Sequence, residues 1–394
     1  MPLFPPQAAD RLPPVDGPID PDVSARIDVL RAVLIGLIVV CHGGRWIGSD
    51  VPFANPGVEF GLTLVNRGLD CVAVPLFFAI AGFLLLRKLE CSATAYLALL
   101  RRKFVAIGIP FLIFNAVWIV WLLAVGSIAL FGSRSYLLEA GIVAKLFGLG
   151  TPPLNYPLWF LRDLLLVFVL TPVFLVFYRR LPVAGLVGLL LLWLVGEPAG
   201  EYSLGGFAFA FYAGGFLARR GVNLRDTAGW DKYVLPLFLA GSVLVGASPW
   251  LGLDAYQLAA VKKAYQIVGV AGFWCLSRQG WVKGSRALQA MAALSFFIFL
   301  THEPTVSVLQ SRLMGLWRPT GTAAQLIAYP VVGLAAILLL YGLGRLLAKA
   351  APGLYAVLTG APPRRRFAPV PPPRKPLSEA GSVAAGLCRE EGKG

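Results

Sequence analysis

Charge is scarce in this chain. Asp, Glu, Lys and Arg make up only 14% of its 394 residues, against roughly a quarter in a soluble domain. So little polarity cannot cover the surface of a water-soluble globule, and that class is excluded. Histidine is scarcer still, since His42 and His302 are the only two. The five cysteines (Cys41, Cys71, Cys91, Cys275 and Cys388) show no CxxC or metal-ligand spacing. They therefore specify neither a disulfide framework nor a zinc site, and no bound metal is expected. Residues 1–24 lack the short apolar core and cleavage site of a signal peptide. There is no convincing internal repeat, and no polar interval between apolar runs is long enough for a soluble domain.

What remains is apolar. Hydrophobic residues account for 57% of the chain and the mean hydropathy is +0.73. Runs long enough to span a bilayer lie near 29–47, 69–86, 104–124, 158–178, 182–196, 203–218, 234–252, 260–276, 290–310 and 324–347. The fold class expected is all-α, a polytopic membrane helix bundle of about ten transmembrane helices. Residues 1–24 read as a flexible N-terminal arm and 25–350 as the transmembrane domain. The Pro-rich basic segment 361–394 reads as a disordered tail. The net charge of +15 is not spread as a nucleic-acid footprint. It gathers in short loops such as Arg87 to Lys103, Arg179–Arg180, Arg219 to Lys232 and Arg278 to Arg286. The alternate loops are poorer in Lys and Arg, which predicts both termini in the cytoplasm.

With that topology, the first and ninth runs travel the same way across the membrane. His42 and His302 then lie at matching depth, roughly 18–20 Å from the cytoplasmic edge. Arg31 precedes His42 by eleven positions on one helical face, about 16 Å below it, with Asp28 on the same stripe. The fourth run enters from the outer side carrying Trp159, Arg162 and Asp163, and Asp70 opens the second run from that side. Ionisable groups within a membrane segment usually mark a site or a pathway. Each also has a plainer reading. Arg162 and Asp163 suit an interfacial ion pair, Asp70 a helix N-cap, and Trp159 an interfacial aromatic. Ser295, seven residues before His302, suits either a carbonyl contact or a cavity wall.

A neutral imidazole can take the proton of a hydroxyl that attacks a thioester. A basic entrance at Arg31 and at the loop from Arg87 to Lys103 suits the phosphates of an acyl-CoA donor. The span from Arg31 to His42 is of the order of a pantetheine arm. A proton-coupled transporter could place His and Asp similarly.

Four segments carry a resemblance. They are Arg26-Ile27-Asp28-Val29-Leu30-Arg31 continuing to His42, Pro75-Leu76-Phe77-Phe78-Ala79-Ile80-Ala81-Gly82-Phe83, Leu158-Trp159-Phe160-Leu161-Arg162-Asp163-Leu164, and Leu294-Ser295-Phe296-Phe297-Ile298-Phe299-Leu300-Thr301-His302-Glu303-Pro304. Their order over roughly 25–350 resembles the acyltransferase-3 family of integral-membrane O-acyltransferases, which modify bacterial surface glycans and lipids. Arg31 to His42 is similar to its Arg-(ten residues)-His signature. Ala81 stands where that family usually has Ser, and Phe replaces its common Tyr near His302.

The resemblance implies acyl-CoA, with acetyl the expected acyl group, as donor substrate and no permanently bound cofactor. It implies His42 as catalytic base and Arg31 as donor-binding or structural. The acceptor implied is a glycan hydroxyl, here on a lipid-linked saccharide or exopolysaccharide. The site expected from residues and resemblance together is His42 and His302 as catalytic groups. Arg31, Asp28, Arg162, Asp163, Ser295 and Trp159 are expected to bind substrate. The competing readings are a transporter or flippase, or an assembly partner, for a lipid-linked glycan. The first would show internal repeats, and the second would leave both histidines dispensable.

Overall fold

Long apolar runs in a bilayer can satisfy their backbone polar groups only as helices or closed barrels, and this chain takes the helical solution. The structure, a computed structural model, describes residues 15, 17–90, 92–128, 132–195, 204–227 and 229–361. Most of the expected arm and nearly all of the tail lie outside the described residues.

In chain order the helices are α1 (Pro21–Gly44), α2 (Pro56–Leu86), α3 (Ala93–Val125), α4 (Arg134–Ala140), α5 (Ile142–Phe147), α6 (Trp159–Val169) and α7 (Thr171–Arg180). There follow α8 (Pro182–Val195), α9 (Leu204–Arg219), α10 (Asp231–Gly246), α11 (Ala255–Leu276) and, after a single turn at Gly280–Lys283, α12 (Arg286–Ala292). The last three are α13 (Ser295–Leu316), α14 (Thr322–Ala350) and α15 (Pro352–Thr359). Two two-residue strands, β1 (Ser127–Ile128) and β2 (Gly132–Ser133), pair in the loop after α3.

Among the described residues, α2, α3 and α14 are each long and apolar enough to cross a membrane. Counting the bent pairs α6–α7 (48°) and α12–α13 (81°) as single spans brings the number to five. The count of about ten therefore stays an expectation from the sequence.

Helix α2 begins well before its apolar run. Asn55 caps it, its side chain accepting from the Val58 N–H at 3.0 Å. Asp70 is thus interior to α2 and not its N-cap. It follows a π-helical stretch at Leu64–Leu69 and opens a tight turn at Asp70–Val72. A second π-helical stretch, Phe104–Gly108, interrupts α3. Such bulges re-aim side chains and recur at functional sites.

Small residues let the central helices touch backbone to backbone. A Cβ at Gly82 on α2 would collide with the Phe211 carbonyl of α9, and one at Gly214 on α9 with the Ala79 carbonyl of α2. Gly43 on α1 and Gly333 on α14 interlock in the same way. One core, including Leu34, Val39, Ile298, Leu300 and Val332, joins α1, α13 and α14. A second, including Phe78, Phe168, Phe174 and Phe211, joins α2, α6, α7 and α9.

The start of α1 is locked by Arg26, which is fully buried. Its guanidinium donates to Ser277 Oγ (3.0 Å), the Leu224 carbonyl (2.9 Å) and the Trp274 carbonyl (2.8 Å), and it lies over the Trp274 ring. Carbonyls at a helix C-terminus attract such a cation. The lock fixes the register of α1, and with it the height of His42.

Candidate active site

Three side chains from two helices meet in the bundle. His42 near the end of α1 is hydrogen-bonded through Nδ1 to Oε2 of Glu303 on α13. A carboxylate accepts, so Nδ1 carries a proton, and in the neutral ring Nε2 keeps the lone pair a base needs. His302, beside Glu303 on α13, packs its ring edge-on against His42 with centroids 5.1 Å apart. The Nδ1–H of His302 donates to the Phe299 carbonyl at 2.7 Å. That leaves its buried Nε2 as an acceptor with no hydrogen-bond partner among the described residues. Tyr156, leading into α6, flanks the pair, its ring centroid 6.4 Å from that of His42.

A proline shapes this part of α13. Pro304 has no N–H, so the carbonyl four residues earlier, that of Leu300, loses its helical partner. Asn155 Nδ2 supplies the missing donor at 3.0 Å. The Asn155 backbone N–H is accepted in turn by Asn115 Oδ1 of α3 (3.0 Å), and Asn115 Nδ2 donates to the Phe111 carbonyl (2.9 Å). Both asparagines are buried. This relay ties α3 and the approach to α6 to the turn of α13 that carries His302 and Glu303.

His42 faces a cavity of about 910 Å³, the upper range for a small-molecule site. Arg31 and Lys103 stand at the end nearest the start of α1, and Arg45, Arg67, Lys262 and Lys263 line it towards the other. Among the described residues Asp70 is the single carboxylate in its wall, so the lining is strongly cationic. Both π-helical stretches contribute, Asn66 and Arg67 from α2, Ala106 and Ile107 from α3. Between the cationic ends the wall is apolar, with Ile35, Ile38, Phe77, Phe160 and Phe299.

The residues expected from sequence are not all brought together. Arg31, Trp159 and Ser295 line the cavity. Asp28 pairs with Arg31 at 3.1 Å at its half-exposed edge, and Ser295 Oγ donates to the Ala292 carbonyl (2.9 Å) at the head of α13. Arg162 and Asp163 are not in the cavity wall. Arg162 Nε donates to Asp163 Oδ1 at 2.7 Å and its Nη1 to the Gly148 carbonyl, so the pair holds the loop after α5. Glu303 joins the two histidines, and its adjacency to His302 was the sequence signal for it. The spacing from Leu300 to Pro304 was the corresponding signal for Asn155. Ligand atoms of His42, His302 and Glu303 lie within 4.8 Å of one another, a set that could also hold a divalent cation.

A polarised imidazole in a cationic cavity between apolar helices suits group transfer to or from an anionic carrier. Comparison with known proteins bears on which group is transferred. The chain is 29% identical over 370 residues, 90% of its own length and 97% of the other's, to a succinoglycan biosynthesis protein, ExoH, of Rhizobium meliloti (strain 1021). No solved structure matches it. The acyltransferase domain family matches residues 24–344, a stretch that takes in His42, Asn155, His302 and Glu303. The chain belongs to that family, acyltransferase-3, and is an acyltransferase of the membrane.

Proposed function

We propose that the protein moves an acyl group, acetyl first among the candidates, from acyl-CoA to a hydroxyl of a surface polysaccharide or its lipid-linked precursor. The observation that carries this reading is His42, held from behind by Glu303, facing a cavity with cationic residues towards both ends. The Arg31 end takes the phosphates of the donor, Arg31 and Lys103 pairing with them while the pantetheine arm reaches His42. The acceptor hydroxyl approaches from the opposite end. His42 Nε2 removes its proton as the oxygen attacks the thioester carbonyl, and Glu303 stabilises the imidazolium that results. The new C–O bond forms, the C–S bond breaks, and the proton passes from His42 to the departing thiolate. Neither metal nor redox cofactor is needed for that balance. His302, fully buried behind the cavity wall, packs against the reacting imidazole and steadies it rather than meeting the incoming hydroxyl.

A polysaccharide acceptor is supported by the relative's part in succinoglycan biosynthesis. The clustering of basic residues in alternate loops supports a multi-pass inner-membrane protein with both termini, and hence the Arg31 end, in the cytoplasm. The test is a comparison of surface glycans from cells with the protein, without it, and with His42→Ala at matched protein levels. Alkali-labile esters should vanish in the second and third, since losing a general base lowers rate about 10²–10⁴-fold. An unchanged ester inventory in the cells lacking the protein refutes the reading.

A further inference from the structure

A second cavity, of about 270 Å³, opens between α2, α9 and α11. Its walls include Ala79 and Phe83 of α2, Ala213 and Leu217 of α9, and Val270 and Ala271 of α11. Among the described residues no charged side chain lines it, and its one side-chain amide, Gln266, already donates to the Cys71 carbonyl at 2.8 Å. Leu217 and Ile267 at its edge are 39% and 44% exposed, so the slot is open along its flank. In a membrane bundle that flank meets hydrocarbon, from which a chain can enter sideways.

The slot is continuous with the catalytic cavity. Pro75, Ile80, Trp193, Gly206 and Gln266 belong to the walls of both. At that junction, one helical turn from Gln266 on α11, stand Lys262 and Lys263, with Arg67 of α2 in the same cationic wall. From the junction the slot follows α11 from Gln266 to Trp274 and α9 from Gly206 to Leu217, about 12–16 Å at the helical rise. Its far end, at Leu224, Trp230 and Trp274, lies beside the start of α1. A molecule fitting this shape has an anionic group near the junction and a hydrocarbon tail running towards the Arg31 side. The donor does not fit, because acyl-CoA is water-soluble and its phosphates are matched at Arg31 and Lys103.

We propose that this slot seats the hydrocarbon tail of a lipid-linked saccharide acceptor, with the phosphate joining tail to sugar held by Arg67, Lys262 and Lys263. This rests on the acyl-transfer reading of His42 for its consequence but not for its test. Anchoring the tail and phosphate converts delivery of the sugar hydroxyl to His42 into a local event at raised effective concentration.

The experiment uses the full chain in lipid nanodiscs with a polyprenyl phosphate bearing a diazirine on its tail. On illumination the label should enter peptides of α9 and α11. Excess unlabelled polyprenyl phosphate should remove that labelling, and added phospholipid should not. Ala213→Trp and Ala271→Trp, which fill the slot from opposite walls, should each abolish it. Labelling spread over lipid-facing helices such as α14, or displaced equally by phospholipid, would mean an ordinary bilayer lipid only and overturn the proposal. This readout needs no transfer, so it stands apart from failure of the acyltransfer reading. In the transfer assay the same variants should raise KM for a polyprenyl-linked saccharide about tenfold more than KM for the free saccharide. Equal rises for both acceptors would overturn the proposal.

Discussion

Glu303→Gln removes one negative charge and one proton acceptor while keeping the length of the side chain. During transfer His42 becomes an imidazolium with the carboxylate against its Nδ1. Opposite charges about 4 Å apart in surroundings of effective dielectric about 20 attract by about 4 kcal/mol. Lost from the transition state alone, that is about three decades in rate. The Glu303 side chain is 23% exposed, so screening trims the effect, and the loss expected is about 10²–10³-fold. Glutamine adds a second penalty, because its amide NH₂ can turn to Nδ1 and favour the tautomer protonated on Nε2, which cannot act as base. The assay is transfer from labelled acyl-CoA in membranes at matched protein levels. The rate should fall while KM for the donor stays put, since Glu303 does not line the cavity. Combined with His42→Ala, the substitution should add nothing further, because the two act as a unit. A Glu303→Gln protein retaining more than about a third of the parental rate would refute the reasoning, since that residue is under one decade of the loss expected.

Three further outcomes are expected. Arg31→Lys keeps the charge but loses the planar fork, so KM for the donor should rise while insertion is unaffected; full transfer by Arg31→Ala at limiting acyl-CoA would leave Arg31 only a marker of topology. Asn155→Leu strands the Leu300 carbonyl and should lower stability by about 1–3 kcal/mol, read as a drop in Tm in detergent. An unchanged Tm would mean the asparagine relay carries no energy. Chelation should leave transfer intact and added Zn²⁺ should slow it by capturing His42; loss on chelation with recovery on Zn²⁺ would instead make His42, His302 and Glu303 a metal centre.

Helical character and the choice of histidines to weigh as a base were decided by the sequence itself. Apolar runs in a bilayer have few backbone solutions, and with only two histidines the candidates for an imidazole base were few. The eleven-residue step from Arg31 to His42 needed only the helical repeat, and both do line one cavity. The pairing of His42 with Glu303 was another matter. It joins residues 261 apart in the chain, and which face of α13 meets α1 depends on packing that no local rule supplies. Nothing local decides whether Glu303 faces His42 or the headgroups; the bend of 81° before α13 and the Asn155 contact behind it accompany its inward turn.

Long-range placement also divided the charged residues. Arg45, Arg67, Lys262 and Lys263 sit at or near the ends of apolar runs, where sequence position alone gives them no role beyond topology, yet they line the cavity. Arg162 and Asp163 read as site residues, yet they hold the Gly148 loop. Charge type and hydropathy are properties of single residues and could not separate these groups. Separation came from the π-helical stretch of α2, which carries Asn66 and Arg67 at the cavity wall, and from the contact of the loop after α5 with Arg162. Such choices arise where elements far apart in the chain compete for one volume, and only the assembled bundle makes them.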